Sequence, residues 1–249
     1  MLGTVGDMSG KAALVTGASG DLGKAIARRL SDAGASLCLV DPDRAALERL
    51  TAELGGKAVL HAAEVRGRAN CRAMVETTYA AFGRLDALVN VANVFAPAQS
   101  GDMAEEDWEA TLAVNLSAPF YLFQAALPHL LAANGTVTSV GSCAAFMASP
   151  MTAAYTASKA GLAQMTKALA KEFIEQPIRI NYLAPGSMSV SSGNAAKIPG
   201  NVDMSKVQKL ARNLIDVTQV AEVVAFLASD ASAGFHGACI SMDNGLSLG

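Results

Sequence analysis

The chain has 249 residues, a formal charge of −3, 16% charged residues and 51% hydrophobic residues. That length suffices for one large core without a second domain, and the mild acidity with dispersed Lys and Arg argues against nucleic-acid binding. Cys38, Cys71, Cys143 and Cys239 stand far apart with no C-x-x-C pair, which argues against a zinc ribbon or a disulfide framework and fits reduced thiols in a cytoplasm.

The opening MLGTVGDMSGK has no apolar signal core, and nowhere do about 18 apolar residues run without charge, so a soluble protein is expected. Short apolar runs then alternate with segments of helical period. In chain order the strands are expected at 12–15, 36–40, 58–61, 87–91, 136–140, 178–183 and 238–242. Helices are expected at 22–33, 44–54, 69–82, 113–131, 153–173 and 217–228. Such alternation means βαβ units, hence a Rossmann-like, doubly wound α/β fold: one parallel sheet with helices on both faces in a single domain over residues 1–249. Two irregular stretches, 93–102 and 187–205, follow strands directly. In open α/β sheets ligands sit beyond the carboxyl ends of strands, so both are expected pocket walls, with 187–210 as a substrate-binding loop region.

After the first strand comes TGASGDLGKAIARRL, with Gly17, Gly20 and Gly23 in the turn into a helix. Backbone N–H groups and the positive helix end can there approach a pyrophosphate that side chains would obstruct. The second strand, ASLCLVDPD, ends in Asp41, where a carboxylate reaches adenosine ribose hydroxyls. A carboxylate repels a 2′-phosphate, so NAD is expected over NADP. Arg44 nearby could soften that preference towards NADP, or could equally be a solvated residue at the start of the next helix.

In AAYTASKAG, Tyr155 and Lys159 share a helix face that Leu162, Thr166, Leu169 and Phe173 continue. Lys159 should therefore be buried, and a buried ammonium needs a function or a counter-charge. Bringing a phenol from pKa about 10 to near 7–8 takes roughly 3–4 kcal/mol. An ammonium near 4 Å at an effective dielectric of about 20 supplies about that much. The expectation is that Lys159 acidifies Tyr155, making it a proton acceptor for alcohol oxidation by hydride loss to a nicotinamide.

From TGASGDLG to the final GACISMDNG the chain resembles the short-chain dehydrogenase/reductase family. The resemblance implies a catalytic set of Asn115 in LAVNLSAPF, Ser142 in VGSCAAF, Tyr155 and Lys159. Ser142 would hydrogen-bond the substrate oxygen, Asn115 would help hold a proton-relay water, and Lys159 would also bind the nicotinamide ribose. Pro119, having no N–H, frees the carbonyl of residue 115 and supports that relay, unless it marks an ordinary kink. The implied cofactor contacts are Gly17, Ser19, Asp21, Leu22, Asp41, Glu64, Val65, Asn90, Ala92, Tyr155, Lys159, Pro185, Gly186 and Met188.

The chain departs from the family pattern in places. Asp21 stands where the glycine turn normally has glycine. Asn93 replaces the glycine of N-N-A-G, which matters if residue 93 needs positive φ. Glu64 takes the place of the adenine-contacting aspartate, and Val190 that of a threonine beside the nicotinamide amide. The expected substrate pocket, Val94, Phe95, Cys143, Met147 and Met188, with Phe146 and Met151 nearby, is apolar and suits a hydrophobic or cyclic alcohol or ketone. His61, His129 and His236 are isolated, and no metal is expected. The apolar composition predicts self-association, and the resemblance implies a homotetramer using the long helices around Asn115 and Tyr155. The rival expectation is a non-catalytic dinucleotide-binding sensor or scaffold of the same fold.

Overall fold

The computed structural model describes residues 6–189 and 214–248. Seven strands form one wholly parallel sheet in the order β3-β2-β1-β4-β5-β6-β9. They are β1 (Ala12–Thr16), β2 (Ser36–Asp41), β3 (Ala58–Ala62), β4 (Ala87–Asn90), β5 (Thr136–Val140), β6 (Arg179–Pro185) and β9 (Cys239–Met242). β7 (Met188–Ser189) and β8 (Ile215–Asp216) pair separately. The helices are α1 (Asp21–Asp32), α2 (Arg44–Leu54), α3 (Arg68–Phe82), α4 (Glu105–Leu112), α5 (Ala118–Ala132), α6 (Ala153–Glu172) and α7 (Val217–Ala228).

Both faces of the sheet are covered, as a parallel sheet of hydrophobic strands requires. Alternate residues go to opposite sides. Ala13, Val15, Leu37 and Leu39 pack with Ile26, Leu30, Leu47 and Val224. Leu14, Cys38 and Val40 pack with Met74, Leu122, Phe123 and Leu130. The helical run 105–132 is long and apolar enough to cross a membrane by length and composition alone. In the fold, Leu122, Phe123, Ala126 and Leu130 of that run are buried against the sheet.

The expected strands and helices are present, with one extension. Helix was expected from residue 113, yet it begins at Glu105 and passes through a π turn at Ala113–Ser117 before α5. In α4 only Thr111 is buried, so no apolar stripe marks it. Glu105, Glu106 and Asp107 in its first turn, matched to the positive helix end, are the signal that was there. The π turn lies just before Pro119, whose ring cannot supply the α-helical bond to residue 115.

Strand β1 neighbours both β2 and β4, so the order reverses there and a crevice opens beyond their carboxyl ends. The expected loop region 187–210 is described only at Ser187–Ser189; the rest of it, Val190 included, lies outside the described residues.

Candidate active site

At the crevice, Gly17 adopts φ +66°, and a Cβ there would sit 2.7 Å from Ala92 N. One turn later, a Cβ on Gly23 would come within 2.0 Å of Gly17 O, so α1 can approach the turn only with glycine at that point. A Cβ at Gly20 would meet only Gly17 O, at an ordinary 3.6 Å. Two of the three glycines thus serve the turn itself. Asp21 opens α1 as a first-turn acid.

Thr16, buried at the end of β1, accepts through Oγ1 from Val91 N (3.0 Å) and Ala92 N (3.2 Å). Two residues on, Asn115 from the π turn accepts from Val94 N at 2.8 Å and donates to Val94 O at 2.9 Å and to Ser158 Oγ at 3.1 Å. The segment after β4 is held at both ends by side chains of its neighbours. Asn93 between them is exposed and does not take positive φ, so the concern over its lost glycine is corrected: no left-handed residue is needed there. The Asn115 side chain is taken up by Val94 and Ser158, and Pro119 offers the backbone carbonyl of residue 115 no N–H.

A cleft of about 570 Å³ runs along this edge, a size within the usual range for ligand sites. It brings together Gly17, Ser19, Asp21, Leu22, Asp41, Glu64, Val65, Ala92, Val94, Tyr155, Lys159 and Met188. Asp41 is nearly buried, accepting from Ser19 N at 3.3 Å and Asp43 N at 3.1 Å. Arg44, the residue that could favour NADP, instead pairs with Glu48 at 3.9 Å along α2. Glu64 is exposed and paired with Arg66 at 2.5 Å, both on the cleft wall.

Other expected contacts stand behind this lining. Asn90 is buried and donates to Ser139 Oγ at 3.3 Å, its Oδ1 having no partner among the described residues. Pro185 ends β6, and Gly186 N donates to Met242 O at 2.9 Å; a Cβ on Gly186 would press to 2.9 Å from Asp243 Cα. Cys143 is buried behind the Ser142 turn, and burial pushes its thiol pKa up. Met147 is half-buried outside the cleft. Phe95 does reach the centre: its ring meets that of Tyr155 edge-on, with centroids 4.9 Å apart. Met151 takes φ +66° and accepts through its carbonyl from Ala98 N at 3.1 Å, tying the segment before α6 to the 93–102 stretch.

Tyr155 and Lys159 occupy the first two turns of α6. Lys159 is 1% exposed, and its Nζ lies 5.5 Å from the centroid of the Tyr155 ring. At that distance and an effective dielectric of about 20, the attraction between phenolate and ammonium is roughly 3 kcal/mol. Removal from water opposes both charges. Burial brings Lys159 down to about 7, and burial also raises the Tyr155 pKa, partly offset by a hydrogen bond from Ser142. In the free protein burial opposes the expected acidification of Tyr155 by Lys159, because it disfavours charge on both groups. The same Ser142 side chain accepts from Ala144 N at 3.1 Å, fixing the turn in which it sits.

Three residues here were not singled out in the sequence: Thr16, Ser158 and Tyr182. Ser158 Oγ donates to Tyr155 O at 2.7 Å while receiving from Asn115. A small hydroxyl residue within the Y-x-x-x-K segment carries no local signal of a partner 43 positions away.

Residues 17–247 match the family described as enoyl-(acyl carrier protein) reductase. A D-threitol dehydrogenase of Mycolicibacterium smegmatis is 35% identical, over 97% of this chain and 94% of that protein. A 3-oxoacyl-(acyl-carrier-protein) reductase of Thermotoga maritima is 33% identical over 96% and 98%. Among solved structures, a dehydrogenase/reductase from Sinorhizobium meliloti superposes with TM-score 0.87 at 30% identity, covering 97% of each chain. A 3-ketoacyl-(acyl-carrier-protein) reductase from Brucella melitensis, complexed with NADH, superposes with TM-score 0.86 at 27% identity over 96% of this chain and 99% of that one.

Proposed function

The chain belongs to the short-chain dehydrogenase/reductase family, whose members similar to it are oxidoreductases of alcohols and ketones, and from that premise we propose an NAD-dependent enzyme for an apolar or cyclic secondary alcohol or ketone. The observation that carries the reading is the convergence, in one cleft at the switch point, of a glycine cradle, a buried Asp41 and the Tyr155–Lys159 pair.

The cradle fits a dinucleotide. Gly17 and Gly23 keep the turn free of side chains where backbone and helix end meet the cleft, and Gly20 presents no side chain to it. Asp41 would take ribose hydroxyls. Its fixed carboxylate disfavours a 2′-phosphate, and Arg44, engaged with Glu48, offers that phosphate no counter-charge. When bound, the nicotinamide supplies the acceptor or donor of hydride.

The remaining work falls to the chain's own residues. Ser142 orients the substrate oxygen beside Tyr155, which takes the hydroxyl proton in oxidation and returns it in reduction. Lys159 would hold the nicotinamide ribose and bias Tyr155 toward phenolate whenever it is charged. Asn115 anchors the 91–94 wall and, through its own backbone carbonyl, to which Pro119 offers no N–H, would hold a relay water. Val94, Met188 and the Phe95 ring give the substrate end its apolar character.

The test is a screen of secondary alcohols and ketones with NAD and NADP, followed by absorbance of the reduced nicotinamide and run beside Tyr155→Phe. Removal of a general acid–base group is expected to lower turnover by about 10²–10⁴-fold. Turnover of the variant within about tenfold of wild type refutes the role. Tight NAD binding by calorimetry with no hydride transfer across the panel would support the sensor reading instead. The four free cysteines support a reducing, cytoplasmic setting. The apolar composition, with Tyr79 and Trp108 left exposed, supports a homo-oligomer, tested by light scattering at micromolar concentration.

A further inference from the structure

Tyr182, in β6, is fully buried and packs with Leu162 and Ala163 of α6. Its ring fills the space beside Gly141, where an added Cβ would lie 1.9 Å from both Cζ and the hydroxyl oxygen. Gly141 does not take positive φ, so glycine stands there to give room and not for its backbone freedom.

The hydroxyl placed by this fit is surrounded by backbone of the active site. It accepts from Ser142 N at 2.9 Å, and its single proton faces Ser142 O at 3.1 Å and Lys159 O at 3.4 Å. The last backbone rung between β5 and β6 is Gly141 N donating to Leu183 O at 2.8 Å. Tyr182 pairs in register with Ser139, and its side chain reaches forward to add a further rung that the backbone does not supply.

We propose that Tyr182 is a positioning residue: its hydroxyl fixes Ser142 relative to the turn of α6 that carries Lys159, and Gly141 exists to admit its ring. The consequence for turnover rests on the oxidoreductase reading; the clamp does not. A serine displaced by a fraction of an ångström from the tyrosine it assists lowers the rate without weakening a cofactor bound elsewhere in the cleft.

Tyr182→Phe keeps the ring and removes only the clamp. Two readouts are compared between this variant and wild type. In the free proteins, hydrogen exchange of the Ser142 amide is followed by NMR. It is expected to be protected in wild type and to speed by about tenfold or more in the variant. In steady state, kcat is expected to fall by about tenfold or more with KM for NAD within about twofold. An unprotected Ser142 amide in wild type overturns the proposal even if the variant does not fold. So does a variant with unchanged kcat and lowered thermal stability, which marks a packing role only. A wild type without hydride transfer would overturn the oxidoreductase reading, and the exchange arm would still decide the clamp.

Discussion

Lys159 offers a measurement that needs no substrate. Burial lowers it from 10.5 to about 7, which corresponds to at most roughly 5 kcal/mol of differential interaction between its two protonation states. The sign follows from proton counting. Between about 7 and 10.5 the unfolded chain holds the lysine proton and the native chain has lost it, so stability rises with pH across that window. Below about 7 both states are protonated, and the native state carries the full cost of a buried ammonium. The cysteines act in the opposite direction at higher pH: Cys38 and Cys71, raised by burial to about 11, lose stability for the native state as pH climbs above the ordinary thiol value. Comparing wild type with Lys159→Met cancels those contributions. In urea denaturation the methionine variant should be the more stable near pH 6. Its advantage should shrink by about 1.4 kcal/mol per pH unit above 7, or roughly 2 kcal/mol by pH 8.5. Parallel stability curves for the two proteins over pH 6–8.5, roughly constant in separation, would show that Lys159 is not desolvated as argued.

Three further substitutions test the cleft wall and cradle. Gly17→Ala forces a side chain into positive φ and into Ala92 N, and is expected to cost on the order of 1–3 kcal/mol and to abolish NAD binding in calorimetry; Gly20→Ala, facing only Gly17 O, should fold with stability within about 1 kcal/mol of wild type. Equal damage from both would refute the division of labour between the glycines. Asn115→Ala removes three hydrogen bonds and leaves Val94 N and O without their partner, so a loss of about 2–4 kcal/mol in denaturant unfolding is expected, with faster amide exchange at Val94. An unchanged Val94 exchange rate would remove Asn115 from that wall.

The sheet was legible because each strand is a short apolar run buried on both faces, and alternate residues of β1 and β2 go to separate cores as the period requires. The glycine turn, Asp41 and the Tyr155–Lys159 spacing were legible because one element end carries each of them. What was missed depends on groups far apart in the chain. Helix α4 has almost no buried face, so its period is silent. The balance of burial against attraction at Tyr155 depends on how much protein surrounds it, which spacing along a helix does not encode. Thr16 and Tyr182 act on backbone 75 and 40 positions away, and neither sits in a motif that announces it.

Those distant contacts also bear on Asn93, one of the departures from the family pattern, and on where variation can fall. The wall from Val91 to Val94 is pinned by Thr16 at one end and by Asn115 at the other, so its path is set from outside and Asn93 need not supply a special conformation. A wall fixed in this way cannot be reshaped cheaply: moving it breaks buried hydrogen bonds whose loss costs about 1–3 kcal/mol each. Differences in which alcohol the cleft admits should therefore arise beyond it, at Phe95, whose ring already meets Tyr155. Substituting Phe95 by Ala should change the order of preference among substrates, read as the ratios of kcat/KM across the panel. A substrate order that survives the loss of Phe95 would place selection elsewhere than at this edge of the cleft.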